Sequence, residues 1–88
     1  MIVTATGPTT ISLTWSQSSS TFATGYEVYR IADGKPDYTL IATQMGRATT
    51  HYDDTGLLPV STYTYYVKSL YENWTSAPSP TSTAITTS

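Results

Sequence analysis

The chain has 88 residues, which is enough for one domain with a single hydrophobic core. It contains no cysteine, so a disulfide framework and a thiolate metal site are excluded. Six acidic and four basic residues give a net charge of -2 without a basic cluster, which excludes a nucleic-acid footprint and attraction to an anionic membrane surface.

The rest of the composition favours β structure. The chain has 19 Thr, 11 Ser and 8 Tyr residues. Thr and Tyr suit the half-buried surface of a pleated sheet, because one is β-branched and the other aromatic. No apolar run is long enough to span a membrane, and residues 1–4 lack the features of a signal peptide. We therefore expect one β domain and no membrane insertion.

Alternation of apolar and polar residues predicts strands in the first half of the chain. These strands cover residues 11–16, 25–31 and 38–43. Asp33 and Gly34 predict a tight turn between the last two, because both central positions of a type I′ turn require positive φ. The residues that the alternation directs to the core are Ile11, Leu13, Trp15, Tyr26 and Val28.

The second half of the chain continues the pattern. Strands are predicted over residues 49–54, 63–69 and about 81–86. In the second of these, Tyr63, Tyr65 and Val67 point inward, whereas Thr64, Tyr66 and Lys68 point outward. Six or seven short strands at roughly ten-residue spacing indicate an antiparallel sandwich or a small barrel.

Several short motifs follow the order and spacing of a known family. They are Trp15, the Gly25-Tyr26-Glu27-Val28-Tyr29-Arg30 strand, Tyr52 with Asp54, the Leu57-x-Pro59-x-x-x-Tyr63 segment and Ser76-Ala77-Pro78-Ser79. From about Val3 to Thr87 the chain resembles a fibronectin type III domain. The resemblance implies an all-β, immunoglobulin-like antiparallel sandwich of seven strands in two sheets. It also implies that the third and sixth strands are neighbours, and that the Tyr63 hydroxyl bonds back to the preceding backbone.

The chain departs from the family pattern at two turns. Val60 occupies a position that is often glycine in the family, so a Cβ stands where the turn is tight. Trp74 occupies the loop before the last strand, where glycine is common. The Arg-Gly-Asp adhesion tripeptide is absent. The amino-acid sequence of the third strand is similar to that of bacterial and phage members of the family, which implies an extracellular, secreted or virion-associated parent protein.

The predicted core and corner come from the strand pattern together with the resemblance. Leu13 and Ile85 are expected to close the core, and Pro59 to belong to the corner around Tyr63. The remaining core residues are Trp15, Tyr26, Val28, Tyr52, Leu57, Tyr63, Tyr65 and Val67. We expect a single domain over residues 1–88, excised from a longer multidomain parent. A Ser/Thr-rich linker is expected to begin at about residue 83 and run to 88.

No group of residues predicts catalysis, a cofactor or a metal. His51 is the only histidine; it shares a strand face with Asp53, while Asp54 points to the other face and is expected to cap the following turn. Glu27 and Glu72 are isolated carboxylates, which does not match the paired acids of a glycosidase. We expect a protein that is not an enzyme.

Four aromatic residues are candidates for ligand contact. Tyr29 and Tyr66 are predicted to lie side by side on the outward face, and Tyr71 and Trp74 in the loop before the last strand. Exposed aromatic rings stack on sugars and form protein hot spots. The alternative is that cross-strand aromatic pairs only stabilise the sheet, each by about 0.2–1 kcal/mol.

Three functional classes remain open at this point. An enzyme would require a deep pocket with convergent ionisable groups, and we expect none, which leaves two functions from different classes. The first is a structural spacer, monomeric in isolation, whose partners are the neighbouring domains of its parent. The second is an accessory module that binds a polysaccharide or a protein through these aromatic residues. A pair of coplanar exposed rings favours binding, and burial of the rings favours the spacer.

Overall fold

The computed structural model describes residues 2–16, 23–46, 48–71, 75 and 81–88. Seven strands form a three-stranded sheet in the order β1-β2-β5 and a four-stranded sheet in the order β4-β3-β6-β7, with every pair antiparallel. The strands are β1 (Ile2–Ala5), β2 (Ile11–Thr14), β3 (Gly25–Ala32), β4 (Thr39–Met45), β5 (His51–Asp54), β6 (Thr62–Leu70) and β7 (Ser82–Ile85). The prediction of an all-β sandwich with seven strands in two sheets is confirmed. No helix in these ranges is long and apolar enough to cross a membrane.

The core lies between the inner faces of the two sheets. Its centre contains alternate residues of β2, β3 and β6, because successive side chains of a strand point to opposite faces. Trp15 packs edge-on against Tyr26, with ring centroids 5.6 Å apart. The buried apolar residues of this cluster are Ile11, Leu13, Trp15, Tyr26, Val28, Leu57, Tyr63, Tyr65 and Val67.

Two of the predicted core and corner residues lie at the margin of the core. Tyr52 lies opposite the inward Leu13 and packs against the cluster, but it is only half-buried because β5 is an edge strand with a neighbour on one side only. Pro59 is exposed. Its contribution to the corner is made by the backbone, since its carbonyl accepts a hydrogen bond from the Ser61 hydroxyl at 3.0 Å.

The prediction that Ile85 closes the core is wrong. Ile85 lies opposite Thr62 on the outward face and is 59% exposed. The core side of β7 instead carries Ala84, which lies opposite the inward Tyr63. Residues directly opposite each other in an antiparallel pair share a face, so the pairing register and not hydrophobicity decides which side chain is buried.

Thr86 occupies the buried position that follows Ala84 on the same side. It is 2% exposed, and its hydroxyl donates to the Leu58 carbonyl at 2.6 Å and accepts from the Ser61 N–H at 2.9 Å. Residues 83–86 therefore belong to the sandwich, and the Ser/Thr-rich linker predicted from about residue 83 does not begin there.

The corner before β6 is held by Tyr63. Its hydroxyl accepts a hydrogen bond from the Leu58 N–H at 3.1 Å, which is the bond to the preceding backbone that the family resemblance implies. Val60, at the tip of this corner, has a φ of 50°. This left-handed conformation is unfavourable for a β-branched residue.

The buried threonine provides a test of the β7 register. We expect Thr86→Val to lower the free energy of unfolding by about 1–3 kcal/mol, because it leaves the Leu58 carbonyl and the Ser61 N–H without a buried partner. The control Ile85→Thr changes an exposed side chain and should alter stability by less than about 0.5 kcal/mol. Urea denaturation measures both, and a larger loss for Ile85→Thr would contradict this register.

Candidate functional site

Tyr29 and Tyr66 form a stacked pair on the outward face of the four-stranded sheet. They lie directly opposite each other on β3 and β6, and their ring centroids are 4.8 Å apart with planes at 16°. Both side chains are half-buried. The structure therefore brings together the two strand residues that the alternation directs outward, because β3 and β6 pair without a break in register.

Charged and aromatic side chains enclose this pair. The Lys68 ammonium lies 5.2 Å from the Tyr29 ring centroid and 5.9 Å from that of Tyr66, within the range of cation–π attraction. The Tyr29 hydroxyl donates to Glu27 at 3.1 Å. Burial, followed by this hydrogen bond, raises the pKa of Tyr29 above its ordinary value.

A third tyrosine, Tyr38, completes the group. Its ring lies 4.6 Å from that of Tyr66 at an angle of 60°. Tyr38 begins the strand predicted over residues 38–43 but was not among the candidates for ligand contact; in the structure it lies immediately before β4. We call Tyr29, Tyr38, Tyr66 and Lys68 the tyrosine cluster.

The tyrosine cluster offers ring edges and hydroxyl groups more than free ring faces. Tyr29 and Tyr66 cover each other, and Lys68 and Tyr38 approach the same two rings. A sugar stacks on an open aromatic face, whereas a protein partner also uses ring edges and apolar neighbours. Leu40, which lies opposite Tyr29 on β4 and is 45% exposed, is such a neighbour. This arrangement favours protein contact over sugar stacking.

Of the two loop candidates, Tyr71 is the one that the structure describes. Tyr71 is half-buried immediately after the end of β6. Trp74 lies outside the described residues, so its proposed ligand contact stays a prediction.

A partly buried ion pair ties the two sheets together. One terminal nitrogen of Arg30 on β3 lies 2.9 and 2.8 Å from the two carboxylate oxygens of Asp54 on β5. The Tyr65 hydroxyl on β6 donates to the same carboxylate at 2.7 Å. The Asp54 side chain is only 5% exposed. We call these three residues the inter-sheet tie.

The prediction that Asp54 caps the turn after β5 is wrong. The core side of β5 places Asp54 opposite Ile11, and there its carboxylate meets the inward-pointing ends of Arg30 and Tyr65. Arg30 lies two residues after the inward Val28, a spacing that would have identified its face in the sequence. Its charged partner, in contrast, lies 24 residues away and is not recognisable from any local pattern.

The inter-sheet tie shifts two pKa values. Burial lowers the pKa of Arg30, but the hydrogen bond to Asp54 and its negative charge outweigh burial and leave that pKa raised. Burial, and then the hydrogen bond to Asp54, raise the pKa of Tyr65 well above its ordinary value. Both groups stay protonated at neutral pH, so the tie is a structural contact and not a proton-transfer pair.

His51 and Asp53 form a separate pair on the outer face of the three-stranded sheet. Their side chains are 3.0 Å apart and 54% and 66% exposed, and Thr14 lies 3.4 Å from the other ring nitrogen. An exposed pair of this kind contributes about 0–1 kcal/mol. Within the described ranges, no three His, Cys, Asp or Glu side chains are grouped closely enough to hold a metal ion.

Comparison with known proteins decides the family. The sequence profile of the family described as "Fibronectin type III domain" matches residues 1–85. The chain is a fibronectin type III domain. No curated protein matches it significantly in sequence.

Solved structures of several different proteins contain the same fold. A crystal structure of the chicken CNTN1 FN1–FN3 domains superposes with a TM-score of 0.89 at 19% identity, covering 99% of this chain and 30% of that one. The structure named FN3tt gives a TM-score of 0.78 at 25% identity, covering 97% of this chain and 86% of that one. A structure of titin kinase and its flanking domains gives a TM-score of 0.80 at 23% identity, covering 96% of this chain and 16% of that one. Fibronectin type III domains are thus commonly modules of larger proteins, and this chain spans less than a third of two of these matches.

The inter-sheet tie predicts a large effect of removing its acid. We expect Asp54→Ala to lower the free energy of unfolding by about 3–5 kcal/mol, because Arg30 is left with an uncompensated, partly buried charge. The control Asp53→Ala, one residue away on the exposed face, should cost less than about 1 kcal/mol. Urea denaturation of the two variants provides the comparison, and equal losses would contradict a structural role for Asp54.

The raised pKa of Tyr65 predicts a loss of stability in alkali. Tyr65 retains its proton in the folded state above pH 10, where the unfolded chain releases it, so stability present below about pH 10 falls by up to about 1.4 kcal/mol per pH unit above it. The variant Tyr65→Phe should be less stable at neutral pH but lose less between about pH 9 and 11. Denaturation at several pH values measures how the free energy of unfolding of each protein changes with pH. The same change in both proteins would exclude Tyr65 as the source of the alkaline loss of stability.

Proposed function

We propose that this fibronectin type III domain is a non-catalytic spacer that holds neighbouring domains of a longer protein apart. The observation that carries the proposal is the position of the two chain ends. β1 and β7 lie next to each other, and the Thr87 N–H donates to the Gly7 carbonyl at 3.3 Å, so β7 finishes beside the end of β1. β1 begins at the other end of the sheet, where Ile2 lies opposite Thr14.

The polypeptide therefore enters and leaves at opposite ends of the sandwich. We call the end with Ile2 and Thr14 the entry pole, and the end with Gly7, Val60 and Thr87 the exit pole. The longest dimension of the molecule is 41 Å. A rigid domain with ends arranged in this way adds a fixed length between whatever precedes and follows it.

The distribution of ionisable groups supports a non-catalytic role. The buried carboxylate of Asp54 is occupied by Arg30 and Tyr65, and the pair of His51 and Asp53 stands on an exposed sheet face. Catalysis would need a nucleophile or base, a partner and a sheltered place for the substrate. Neither Asp54 nor the pair of His51 and Asp53 meets all three requirements.

We expect the parent protein to be extracellular, secreted or virion-associated, in a bacterial or phage setting. The bacterial or phage setting is supported by the resemblance of the third-strand sequence to bacterial and phage members of the family. The low charge, the abundance of hydroxyl side chains and the absence of cysteine suit a module that is independent of redox conditions. Its partners are the neighbouring domains, and the isolated module is a monomer.

The spacer proposal is tested by measuring the distance between the chain ends. The chain has no cysteine, so Ile2→Cys with Ser88→Cys gives two unique labelling sites. Pulsed electron resonance between spin labels should give one narrow distance distribution approaching the 41 Å long dimension. The control pair Leu58→Cys with Ser88→Cys, on one pole, should give a short distance. A broad or short distance for the first pair would overturn the proposal.

A second candidate function is contact with a protein or polysaccharide through the tyrosine cluster. The half-buried Tyr29 and Tyr66, with Leu40 beside them, support this alternative, because an outward aromatic and apolar surface suits a binding partner. The competing explanation is that the stack stabilises the β3–β6 pair.

The binding candidate is tested with Tyr66→Ala. If the cluster binds, this variant should lose cosedimentation with an insoluble polysaccharide such as cellulose or chitin, or affinity for immobilised neighbouring domains. Tyr52→Ala, which removes a half-buried tyrosine from the other sheet, is the control. Equal binding by Tyr66→Ala, Tyr52→Ala and the unaltered chain would remove the cluster from consideration.

A further inference from the structure

We propose that Tyr38 and Tyr66 form an oxidative cross-linking site, at which a peroxide acting through a peroxidase joins the two side chains as dityrosine. The modification would raise the stability of the domain. It depends neither on the use of the domain as a spacer nor on ligand binding by the tyrosine cluster, because it follows from the placement of the rings within one copy.

The first observation is the geometry of the two rings. Their centroids are 4.6 Å apart, at the short end of the range of about 4.5–7 Å for aromatic pairs, and their planes are inclined at 60°. In dityrosine one carbon–carbon bond joins the rings directly, and the two hydroxyls beside that bond keep the ring planes twisted. Tyr38 and Tyr66 therefore already have a separation and an inclination close to those of the product.

The second observation is the path of the backbone around these rings. Tyr38 lies immediately before β4, and β3 separates β4 from β6, which carries Tyr66. Two strand spacings amount to about 9–10 Å. This distance leaves room for two linked rings between the backbone segments, so the bond can form without moving the strands apart.

The stacked pair of Tyr29 and Tyr66 does not have this freedom. The two residues lie directly opposite each other, where Cβ atoms are about 4.5–5.5 Å apart. Linked phenol rings hold their Cβ atoms farther apart than this, because each Cβ lies across its ring from the hydroxyl and the new bond forms beside the hydroxyl. A link to Tyr29 would have to open the β3–β6 pair, so coupling is directed to Tyr38.

The reaction removes one electron and one proton from each phenol. The unpaired electron of each radical is shared between the oxygen and the two Cε atoms beside it, and two radicals form one Cε–Cε bond. The hydrogens on those two carbons then move to the oxygens and restore the aromatic rings. The peroxide takes up the two electrons and two protons as its O–O bond breaks, so two tyrosines and one hydrogen peroxide give one dityrosine and two waters.

Both rings are accessible to an oxidant. Tyr38 and Tyr66 are half-buried, and residues 33–37, which lead to Tyr38, are exposed. Tyr26, Tyr63 and Tyr65, in contrast, belong to the buried core. The chain has no cysteine, whose thiolate would consume the oxidant first.

The link would restrain an edge of the four-stranded sheet. β4 pairs with β3 alone, and the new bond would connect its beginning to β6. Tyr38 and Tyr66 are 28 positions apart in the chain, so the bond closes a loop that restricts the unfolded state as a disulfide does. We expect the melting temperature of the linked domain to rise by about 10–20 °C.

The experiment treats the dilute protein with hydrogen peroxide and a peroxidase and then digests it with trypsin. Because Pro36 prevents cleavage after Lys35, the digest separates the three rings into residues 1–30 with Tyr29, 31–47 with Tyr38 and 48–68 with Tyr66. Mass spectrometry should find residues 31–47 joined to residues 48–68 with the loss of two hydrogen atoms. The treated chain should show dityrosine fluorescence and remain a monomer under denaturing conditions.

Phenylalanine variants identify the two partners without removing a ring. Tyr38→Phe and Tyr66→Phe should each abolish the link, the fluorescence and the rise in melting temperature. Tyr29→Phe within the cluster and Tyr52→Phe on the other sheet are the matched controls, and both should retain all three. Oxidation of the exposed Met45 adds an oxygen atom, so the mass distinguishes it from the link.

Several results would overturn the cross-linking site. They are a treated chain without dityrosine, a link that persists in Tyr38→Phe or Tyr66→Phe, residues 1–30 joined to residues 48–68 in place of 31–47, and dityrosine found only in covalent dimers. None of them affects the spacer proposal, which is tested by the end-to-end distance of the untreated domain.

Discussion

The pairing of β3 with β6 is the constraint on which most of the molecule depends. Eight consecutive residue pairs, from Gly25 with Leu70 to Ala32 with Tyr63, run without a bulge. Because side chains alternate between faces, this register places Val28 and Val67 in the core and directs Tyr29 outward to Tyr66. A shift by one residue would exchange the two faces of β3. The core and the tyrosine cluster are thus two results of a single alignment.

The same register determines how the second sheet is attached. Arg30 and Tyr65 lie opposite each other on the inward face, so both reach the carboxylate of Asp54 on the facing sheet. A buried ion pair contributes little net stability compared with apolar packing, since desolvation offsets most of the attraction. Its directional hydrogen bonds do restrict how the sheets are aligned. The inter-sheet tie adds directional bonds of this kind to a core made mainly of apolar contacts.

The exposed aromatic and apolar surfaces lie outside the contacts that these constraints fix. The tyrosine cluster occupies the outward face that the β3–β6 register leaves available, and its rings already contact one another. The poles are different, because Ile2, Leu58 and Val60 are exposed there without such contacts. This distribution supports the proposal of a spacer that holds neighbouring domains apart and does not catalyse a reaction.

Much of the fold was predictable from local pattern because alternation is a property of the strand itself. The inward Leu13, Tyr26, Val28, Tyr65 and Val67 follow from period two, and the Tyr63 corner follows from a short motif. Ile85 and Thr86 were not predictable in this way, because hydrophobicity favours one and register buries the other. The contact of Tyr38 with Tyr66 was not predictable either, because the two residues are 28 positions apart in the chain.

The sequence by itself determined the strands β2 to β7, most of their faces and the resemblance to the family, since these depend on neighbouring residues and their spacing. Only the tertiary structure decided that Asp54 is buried beside Arg30 and Tyr65, and that Thr86 replaces Ile85 at the end of the core. Each of these depends on residues that are distant in the chain and meet only when the two sheets pack.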